Sequence, residues 1–345
     1  MTMPYVTIAG RKIGPGEPPY IICELSGNYN GSLDRTLKLI EAAAATGCDA
    51  IKIQSFTPDT ITIDFDGPGF VINGGLWNGR TLHDLYKEAH TPFEWHEAMF
   101  AKAASCGVTM LSTPFDDTAV DLLESLEAPA YKIASFEIVD LPLIARVAST
   151  GKPLIISTGL ANLSEIAAAV RTARGNGCSE IVLLHCISSY PAPTEQSNVR
   201  TIPHLAEAFD VVSGLSDHTL GTATSVAAIA LGGSVIEKHF TLARADGGPD
   251  AAFSLEPEEF KRLCSDCHDA WLSLGKVGYG LRIAEQKSIV FRRSLYAVAP
   301  IAEGESFTKA NVRSIRPGDG LPPAAMPDIL GRVARRDIGY GELLA

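Results

Sequence analysis

Two histidines at the ends of short apolar runs are candidates for a metal site. His218 ends the run GLSDH, and His239 ends the run VIEKH. Because side chains alternate between the two faces of a strand, Ser216 shares a face with His218, and Glu237 shares a face with His239. Two imidazoles with open coordination positions suit Mn²⁺, Fe²⁺ or Zn²⁺, and a substrate could take an open position, as Lewis-acid catalysis requires. A single histidine is more often a hydrogen-bonded core residue, but a pair on neighbouring strand ends favours a metal site.

Other runs end in lysine or hydroxyl side chains that together could bind a small polyanion. Lys52 and Lys132 provide positive charge for a phosphate or a carboxylate, and hydroxyls donate hydrogen bonds without adding charge. The hydroxyls are those of Thr113, Ser135, Ser157 and Ser216. Each serine taken alone could instead cap a following helix. The sequence contains no Gly-rich phosphate loop, so nucleotide binding has no support.

Carboxyl and amide groups near the same strand ends are candidates for proton transfer and substrate binding. Glu24 and Glu137 could have shifted pKa values if they are buried beside a metal or a phosphate, and the sequence does not say which is the acid. Gln54, Tyr190 and Asp250 could hydrogen-bond a polyol or an amide substrate. For Tyr190 and Asp250 an ordinary loop or turn role is an equally good interpretation.

These candidates follow a pattern that occurs eight times along the chain. Each time, a short apolar run ends in polar residues and an amphipathic helical stretch follows, which predicts parallel strands joined by helices. We therefore predict a (β/α)8 TIM barrel, in which the carboxyl ends of all strands converge on one mouth. Sequence order should then be the order around the barrel. The predicted strands are Tyr20–Glu24, Ala50–Gln54, Thr109–Thr113, Ala130–Ser135, Leu154–Ser157, Ile181–Cys186, Val211–Asp217 and Val235–His239.

Polar residues before the helical stretches predict where helices begin. Ser32, Asp117 and either Asn162 or Ser164 are predicted N-caps, because their side chains can accept a hydrogen bond from a free N–H of the first turn. Residues 222–231 are almost all small or apolar. We expect this helix to pack tightly on the barrel.

A long segment after the second predicted strand is a candidate functional loop. It covers residues 57–91, is rich in glycine and contains GLWNGRTLHDLYKEAHTP. A loop of this length within a compact domain is usually functional.

A change in composition near the end of the predicted barrel indicates a second, smaller domain. We assign residues 1–280 to the barrel, 281–291 to a linker and 292–345 to a compact β-rich domain. The last contains IAEGE at 301–305 and IGYGE at 338–342, a short internal echo. A domain of roughly fifty residues is marginally stable alone, so we expect it to dock on another surface.

The composition excludes several classes of protein. Of 345 residues, 46% are hydrophobic and 20% are charged, which excludes a disordered or fibrous chain. The net charge is −11, and ten Lys/Arg against seven Asp/Glu from Arg282 onward give a tail of +3 and a remainder of −14. A basic tail could cover an anionic ligand, although ordinary charge scatter explains the pattern equally well. No basic block is interleaved with aromatic residues, so no nucleic-acid partner is expected.

Hydropathy and cysteine usage predict a cytoplasmic protein without a membrane partner. No window approaches the ~20 apolar residues of a membrane span, and MTMPYVTIAGRKIGPG lacks the apolar stretch of a secretory signal. Seven cysteines, an odd number, favour reduced thiols over a disulfide framework. Cys264, Cys267 and His268 spell the C-x-x-C-H string of haem attachment. The helical pattern over 257–274 and the lack of an export signal argue against haem here.

Seven motifs at or near the strand ends are specific in combination. They are CELSGN at 23–28, IKIQ at 51–54, STPF at 112–115, YKIAS at 131–135, ISTG at 156–159, GLSDH at 214–218 and IEKHFT at 236–241. With them, nearly the whole chain resembles the sialic acid synthase family, and the tail with RPG at 316–318 resembles that family's antifreeze-like (SAF) domain. GLWNGRTLHDLYKEAHTP and ADGG at 245–248 make the pseudaminic acid synthase branch the most similar one.

The resemblance implies a metal-dependent condensation of phosphoenolpyruvate with 2,4-diacetamido-2,4,6-trideoxy-L-altrose, which gives pseudaminic acid and phosphate with C–O cleavage. It implies that His218 and His239 bind Mn²⁺, or alternatively Mg²⁺ or Co²⁺. Phosphoenolpyruvate would be held by Lys52, Thr113, Lys132, Ser135, Ser157 and Ser216. Glu24, Glu137 and Glu237 match carboxylates near the reacting groups.

The resemblance also implies sugar contacts and an oligomer. Gln54, Tyr190 and Asp250 match sugar-binding positions. Arg316 matches an arginine that the family's tail domain places over a neighbouring subunit's active site, which implies a domain-exchanged homodimer.

Two positions depart from the sialic acid synthase pattern. Ser188 replaces an Asn ahead of Tyr-Pro, and Arg292 replaces an aromatic residue, and both positions should touch the sugar. These changes disfavour N-acetylmannosamine and are compatible with a 6-deoxy diacetamido sugar. The alternatives are an N-acetylneuraminate or legionaminate synthase, another phosphoenolpyruvate-using barrel acting on phosphorylated aldoses, and a non-catalytic binding or scaffold protein. The aldose alternative requires an additional basic phosphate pocket, which the sequence does not reveal, and a scaffold would not need the Lys, His and Glu set.

Overall fold

An antiparallel hairpin precedes eight parallel strands that close into a barrel. The computed structural model describes residues 4–345. The hairpin consists of β1 (Val6–Ile8) and β2 (Arg11–Ile13), and the barrel strands are β3 (Tyr20–Glu24), β4 (Ala50–Ser55), β5 (Thr109–Pro114), β6 (Tyr131–Ile133), β7 (Leu154–Ser157), β8 (Ile181–Cys186), β9 (Val212–Asp217) and β10 (Val235–His239). They are hydrogen-bonded in chain order, and β10 closes the barrel on β3. The predicted TIM barrel and strand order are therefore confirmed.

The inward face of the barrel strands changes from apolar to polar along the chain direction. In β4, Ala50 belongs to the apolar interior, whereas Lys52, two residues later, lines the mouth. In β10, the interior residue Val235 is followed on the same face by Glu237 and His239. Because side chains two apart share a face, this switch gathers the polar ends of all strands at the carboxyl end of the barrel.

The hairpin covers the opposite, amino end of the barrel. Val6, Ile8 and Ile13 are buried in one cluster with Tyr20 and Val235, the first residues of β3 and β10. The sequence patterns did not predict this hairpin, since its strands are only three residues long. It completes the apolar core below the mouth.

Helices surround the barrel and have the caps that place them. They are α1 (Leu33–Ala45), α2 (Pro58–Ile61), α3 (Leu82–Ala89), α4 (His96–Ser105), α5 (Asp117–Ser125), α6 (Leu141–Ala148), α7 (Leu163–Gly175), α8 (Thr201–Phe209), α9 (Ala223–Ala230) and α10 (Pro257–Leu274), with α11 (Met326–Ile329) later in the chain. Ser32 and Asn162 cap α1 and α7 as predicted. The predicted cap Asp117 is wrong: Asp116 accepts from the Ala119 N–H at 3.0 Å, and Asp117 is the first helical residue.

The predicted long loop, residues 57–91, is built largely of short helices and a tight turn. It contains α2 and α3, and between them Val71 pairs with Thr81 in an antiparallel bridge. The Ile72 N–H donates to the Arg80 carbonyl at 2.9 Å, which closes the turn that carries Trp77. This turn directs a large aromatic side chain toward the barrel mouth.

The C-x-x-C-H string lies within α10, as the helical pattern predicted. Cys267 is fully buried in the cluster between α10 and the barrel, and Cys264 packs against the same cluster. Among residues 4–345, no helix has both the length and the apolar character needed to cross a membrane.

The chain divides into two compact units, Met1–Gly275 and Lys276–Ala345. Strands β11 (Ser294–Ala297) and β12 (Val312–Ile315) pair antiparallel in the second unit, and the predicted linker 281–291 contains a 3₁₀ helix over Ile283–Phe291. The boundaries 1–280 and 292–345 stay a prediction.

The internal echo of the second unit has a structural counterpart. Ile301 and Ile338 exchange backbone hydrogen bonds of 2.9 and 2.8 Å. Glu305 accepts from the Ala302 N–H at 2.9 Å, and Glu342 accepts from the Gly339 N–H at 2.9 Å. The two copies therefore form equivalent turns whose first residues pair with each other.

We predict that Gly214→Ala strongly destabilises the barrel. A Cβ at position 214 would lie 2.0 Å from the carbonyl oxygen of Val235 on the neighbouring strand β10, so the backbone at this junction must move. The expected loss is roughly 3 kcal/mol of the free energy of unfolding, measured by urea titration. Gly175→Ala in α7 is the control, because its Cβ would meet nothing within 4 Å. Equal unfolding midpoints for the two variants would contradict the close approach of β9 and β10.

Candidate active site

The polar strand ends line one cavity of about 410 Å³ at the carboxyl end of the barrel. This confirms that the predicted strand ends converge, although the role of each residue remains a prediction. The predicted site residues that line the cavity are Glu24, Lys52, Gln54, Thr113, Lys132, Ser135, Glu137, Ser157, Tyr190, Ser216, His218, Glu237, His239 and Asp250.

Two lysines and two glutamates form a buried network at the base of the cavity. The Lys52 Nζ lies 2.5 Å from Glu24 Oε2 and 3.9 Å from Glu237 Oε1. The Lys132 Nζ lies 3.2 Å from the same Glu237 oxygen. All four side chains are at most 5% exposed. Burial of this kind is tolerated only when each charge is paired, and here the four charges can cancel.

Burial and neighbouring charges shift the pKa values of the side chains in this network. Burial lowers the pKa of Lys132, although Glu237 opposes the shift. For Lys52, burial is outweighed by Glu237 and Glu24, and its pKa is raised. Burial also opposes the charge on Glu237, but Lys132 and Lys52 outweigh it and lower the Glu237 pKa. Lys52 and Glu237 therefore favour their charged forms.

Four hydroxyl groups line the cavity together with the lysines. Lys52 donates to Thr113 Oγ1 at 3.1 Å, and Ser216 donates to Glu237 at 3.3 Å. Ser135 Oγ accepts from the Gly159 N–H at 3.2 Å. Ser157 Oγ is buried without a hydrogen-bonding partner, so it caps no helix. Buried lysines beside an unused hydroxyl make a site for a small anion.

The two histidines face each other, with ring centroids 5.3 Å apart. His218 Nδ1 lies 2.9 Å from the Ile187 carbonyl oxygen, so this nitrogen carries a proton, and Nε2 has a lone pair in the neutral form of the ring. Burial opposes the charge on His218, but Cys186 and the hydrogen bond to Ile187 outweigh it and raise the His218 pKa. Burial, and then the charges of His218 and Lys52, hold the pKa of His239 well below its usual range. His239 is therefore neutral, as a metal ligand must be.

The paired imidazoles fit a divalent cation. His239 Nδ1 is buried without a partner, and the backbone carbonyl on His218 is the kind of contact that orients a ligating imidazole. Among the described residues, no group of three or more His, Cys, Asp or Glu side chains is placed to hold a metal. A cation held here would have two protein ligands and open positions for water or substrate.

A polar arc runs from the network toward the loop after β10. Gln54 Nε2 donates to Glu24 Oε1 and to Ser26 Oγ, each at 3.1 Å, and Ser26 in turn donates to Asp250. Tyr190 lies over the histidines, with its ring centroid 4.4 Å from that of His218. These groups stand where a polyol bound above the imidazoles would meet hydrogen-bonding partners.

Two carboxyl groups of the cavity, Glu137 and Glu24, have raised pKa values. Burial raises the pKa of Glu137 to about 7, opposed by Lys132. Burial also raises the pKa of Glu24, against the effect of Lys52. Glu24 and Glu137 are thus the groups suited to proton transfer, whereas Glu237 is suited to remain a carboxylate.

Three predicted sugar-binding residues do not line the cavity. Ser188 lies just outside it, with its Oγ 3.8 Å from the Cys186 sulphur. Arg292 and Arg316 belong to the second unit, where the Arg316 guanidinium lies 5.8 Å from the centre of the Phe291 ring. Their predicted contacts with the sugar stay predictions.

Sequence reasoning missed Ser26 and an apolar half of the cavity. Ser26 stands in the CELSGN motif, two residues after Glu24, and this spacing could have indicated it. The apolar half includes Phe56, Phe115 and side chains of the 57–91 segment. Only the length of that segment signalled a function.

The structure defines a TIM-barrel protein that gathers two buried lysines, two glutamates and two histidines in one cavity at the carboxyl end of its strands. The chain belongs to the NeuB family, which matches residues 39–279, and its residues 292–345 match the SAF domain. The predicted family and tail domain are confirmed.

Named relatives and a solved structure extend this similarity. The chain is 42% identical to the pseudaminic acid synthase of Campylobacter jejuni over 94% of this chain and 95% of that protein. It is 37% identical to the N,N'-diacetyllegionaminic acid synthase of the same species over 94% of this chain and 98% of that protein. The crystal structure of an N-acetylneuraminic acid synthetase from Leptospira borgpetersenii, in complex with citrate, superposes with a TM-score of 0.74 at 28% identity, covering 83% and 95% of the two chains.

We predict that Glu137→Gln stabilises the protein more at pH 8 than at pH 5. A carboxyl whose pKa rises on folding, here to about 7, binds its proton more tightly in the folded protein. The free energy of unfolding therefore falls as the pH rises from the ordinary pKa of a glutamate to about 7. Because glutamine does not ionise, Glu137→Gln removes this loss of stability at high pH. Unfolding midpoints in urea at both pH values measure the difference. The exposed Glu195→Gln tests for a general effect of one charge, and a gain from Glu137→Gln that is equal at both pH values would contradict the shifted pKa.

Proposed function

We propose that this protein condenses phosphoenolpyruvate with 2,4-diacetamido-2,4,6-trideoxy-L-altrose to form pseudaminic acid and phosphate. The observation that carries the proposal is the buried set of Lys52, Lys132, Glu24 and Glu237 beside two imidazoles in one cavity. Similarity over 94% of the chain to a pseudaminic acid synthase supports the particular sugar.

Phosphoenolpyruvate is assigned to the base of the cavity. Its phosphate and carboxylate need two cationic groups and several hydrogen-bond donors. Lys52 and Lys132 are both there, with their Nζ atoms 3.9 and 3.2 Å from Glu237 Oε1. The unpartnered Ser157 hydroxyl adds a donor that no protein group uses. The hydroxyls assigned with it are those of Thr113, Ser135 and Ser216.

His218 and His239 are assigned as ligands of a divalent cation, Mn²⁺ first, with Mg²⁺ or Co²⁺ as alternatives. When bound, such a cation supplies Lewis-acid polarisation of a carbonyl oxygen. Tyr190 covers His218 from the sugar side, and Gln54 and Asp250 stand at the ends of the polar arc. We assign these three to the sugar, so that its open-chain aldehyde lies near the histidines.

The reaction makes one carbon–carbon bond and breaks one carbon–oxygen bond. C3 of phosphoenolpyruvate attacks the aldehyde carbon, water adds at C2, and the bond between C2 and the phosphate oxygen breaks. The new hydroxyl takes up one proton and the attacking water loses one. The second proton of that water leaves the oxygen on C2 as the ketone forms and is taken up by the departing phosphate. Glu137, with a pKa of about 7, and Glu24 are the candidates to exchange these protons. Glu237 holds the two lysines in place.

The second unit is assigned to a neighbouring subunit's site. The proposal rests on the match of Arg316 to the tail arginine of related proteins and implies a domain-exchanged homodimer. Arg316 and Arg292 are arginines whose planar groups suit carboxylate and amide oxygens of a bound sugar. Ser188, beside Cys186, remains a proposed sugar contact.

The function is tested by phosphate release with three sugars. We expect turnover with 2,4-diacetamido-2,4,6-trideoxy-L-altrose. With N-acetylmannosamine and with the legionaminate precursor sugar, kcat/KM should be lower by roughly 100-fold or more. Lys52→Met is the control and should release no phosphate above background with any of them. Turnover restricted to one of the other two sugars would assign the protein to the N-acetylneuraminate or legionaminate branch instead.

We predict that His218→Ala or His239→Ala lowers kcat by roughly 100-fold or more and abolishes stoichiometric Mn²⁺ binding, with little change in folding. Both residues line the cavity at the rim of the barrel and are not part of the apolar interior cluster, so their loss leaves that cluster intact. Isothermal titration with Mn²⁺ and circular dichroism give readouts independent of activity. The exposed His204→Ala should behave like the unmodified protein. Unchanged Mn²⁺ affinity in either rim variant would remove the metal assignment.

A further inference from the structure

One side of the active-site cavity is apolar, in contrast to the charged base. The segment 57–91 contributes Ile61, Ile72, Trp77, Leu82 and Leu85 to this side. Phe56 and Phe115, from the ends of β4 and β5, continue it, with ring centroids 5.2 Å apart. We call these seven residues the apolar wall. It lies in the same cavity as the polar arc and the two histidines.

The apolar wall is held against the barrel by specific contacts. The Trp77 indole N–H donates to the Pro249 carbonyl at 3.0 Å, next to the Asp250 of the polar arc. At the other end of the segment, the Tyr29 hydroxyl donates to the Ala89 carbonyl. A Cβ on Gly27 would lie 3.2 Å from Ala89 and 3.3 Å from Pro249, so a glycine there allows both loops to approach. The wall is therefore preorganised.

The apolar wall offers little hydrogen bonding to a ligand. Six of its residues have no polar side-chain atom, and the single indole donor is already used by Pro249. Tyr86, whose ring packs on Phe56, is the residue of this segment that brings a hydroxyl to the cavity. A sugar hydroxyl directed at this side would lose its water without gaining a partner, whereas a methyl group would gain apolar contact. The Trp77 ring lies 5.9 Å from the Tyr190 ring, so the wall reaches the proposed sugar position.

We infer that the apolar wall is the specificity element of the sugar site and selects acceptors that present methyl groups there. For the acceptor named above these are the C6 methyl and the acetamido methyls. This inference rests on the proposed function for the position of the sugar. It assigns to Leu82, Trp77 and their neighbours a discrimination that the charged base cannot provide, because the base is assigned to phosphoenolpyruvate, which is the same for every acceptor.

The test compares two acceptor sugars that differ by one hydroxyl. The pair is 2,4-diacetamido-2,4,6-trideoxy-L-altrose and its 6-hydroxy analogue. We expect the unmodified protein to prefer the 6-deoxy sugar by about 10- to 100-fold in kcat/KM, the range that an apolar pocket achieves against an added hydroxyl. Leu82→Asn, nearly isosteric but polar, should reduce this preference about 10-fold while the KM for phosphoenolpyruvate stays unchanged.

The control is Leu76→Asn, because Leu76 lies in the same segment but is 51% exposed and is not part of the wall. It should keep the full preference. A preference that is the same in the unmodified protein, Leu82→Asn and Leu76→Asn would overturn the inference. Thermal unfolding and the KM for phosphoenolpyruvate identify a variant that has merely lost its fold. Leu82→Met, which keeps the apolar surface and the Trp77 contact, should keep the preference.

A failure of the proposed function is distinguishable from a failure of this inference. If the unmodified protein uses only N-acetylmannosamine or the legionaminate precursor, the named acceptor is wrong. The same comparison is then made with the N-acetyl and N-glycolyl forms of the accepted sugar, which also differ by one hydroxyl on a methyl group. A preference for N-acetyl that Leu82→Asn reduces supports the apolar wall, and no such preference overturns it.

Discussion

Two lysines and two glutamates lie buried together where the strands end, and the site depends on their remaining paired. Lys52 bridges Glu24 and Glu237, and Lys132 contacts the same oxygen of Glu237. Burying four charges costs several kcal/mol per ion unless each has a partner, so such a network is weak support for stability and strong support for a function that needs the charges. An anion that binds Lys52 and Lys132 adds negative charge next to Glu24 and Glu237. It can bind only if these carboxylates can lower their own negative charge. The raised pKa of Glu24 makes it the carboxyl that can release charge by taking a proton.

The barrel could be predicted from the sequence because its inward and outward faces follow one rule along every strand. Ala50 and Lys52, or Val235 and Glu237, differ by two positions, and this spacing alone places the first in the core and the second at the mouth. The pairing of Ser216 with Glu237 across β9 and β10 follows from the same alternation. Local periodicity and strand order were therefore sufficient for most of the polar site.

The remaining parts depend on tertiary contacts that carry no local signal. The hairpin β1–β2 is too short to show a period, and it is stabilised by burial against the amino end of the barrel. Asp116 rather than Asp117 caps α5, since two adjacent acidic residues give the same pattern one residue apart. Trp77 reaches the cavity through its bond to Pro249, which is distant in sequence. The role of a residue such as Trp77 can be recognised only after the positions of the loops are known.

The position of the two histidines is fixed from the opposite face of their strands. Asp217 and Lys238, the residues next to them in β9 and β10, form an ion pair of 2.8 Å, and both are 1% exposed. Ser225 of α9 donates to Asp217 at 2.6 Å, so this pair lies against the helical layer. A slip of either strand by one residue would bring one member of the ion pair into the cavity and turn an imidazole toward the helices. Because that exchange would leave buried charges without partners, the register that places His218 and His239 at the mouth is specified by residues that never touch the substrate.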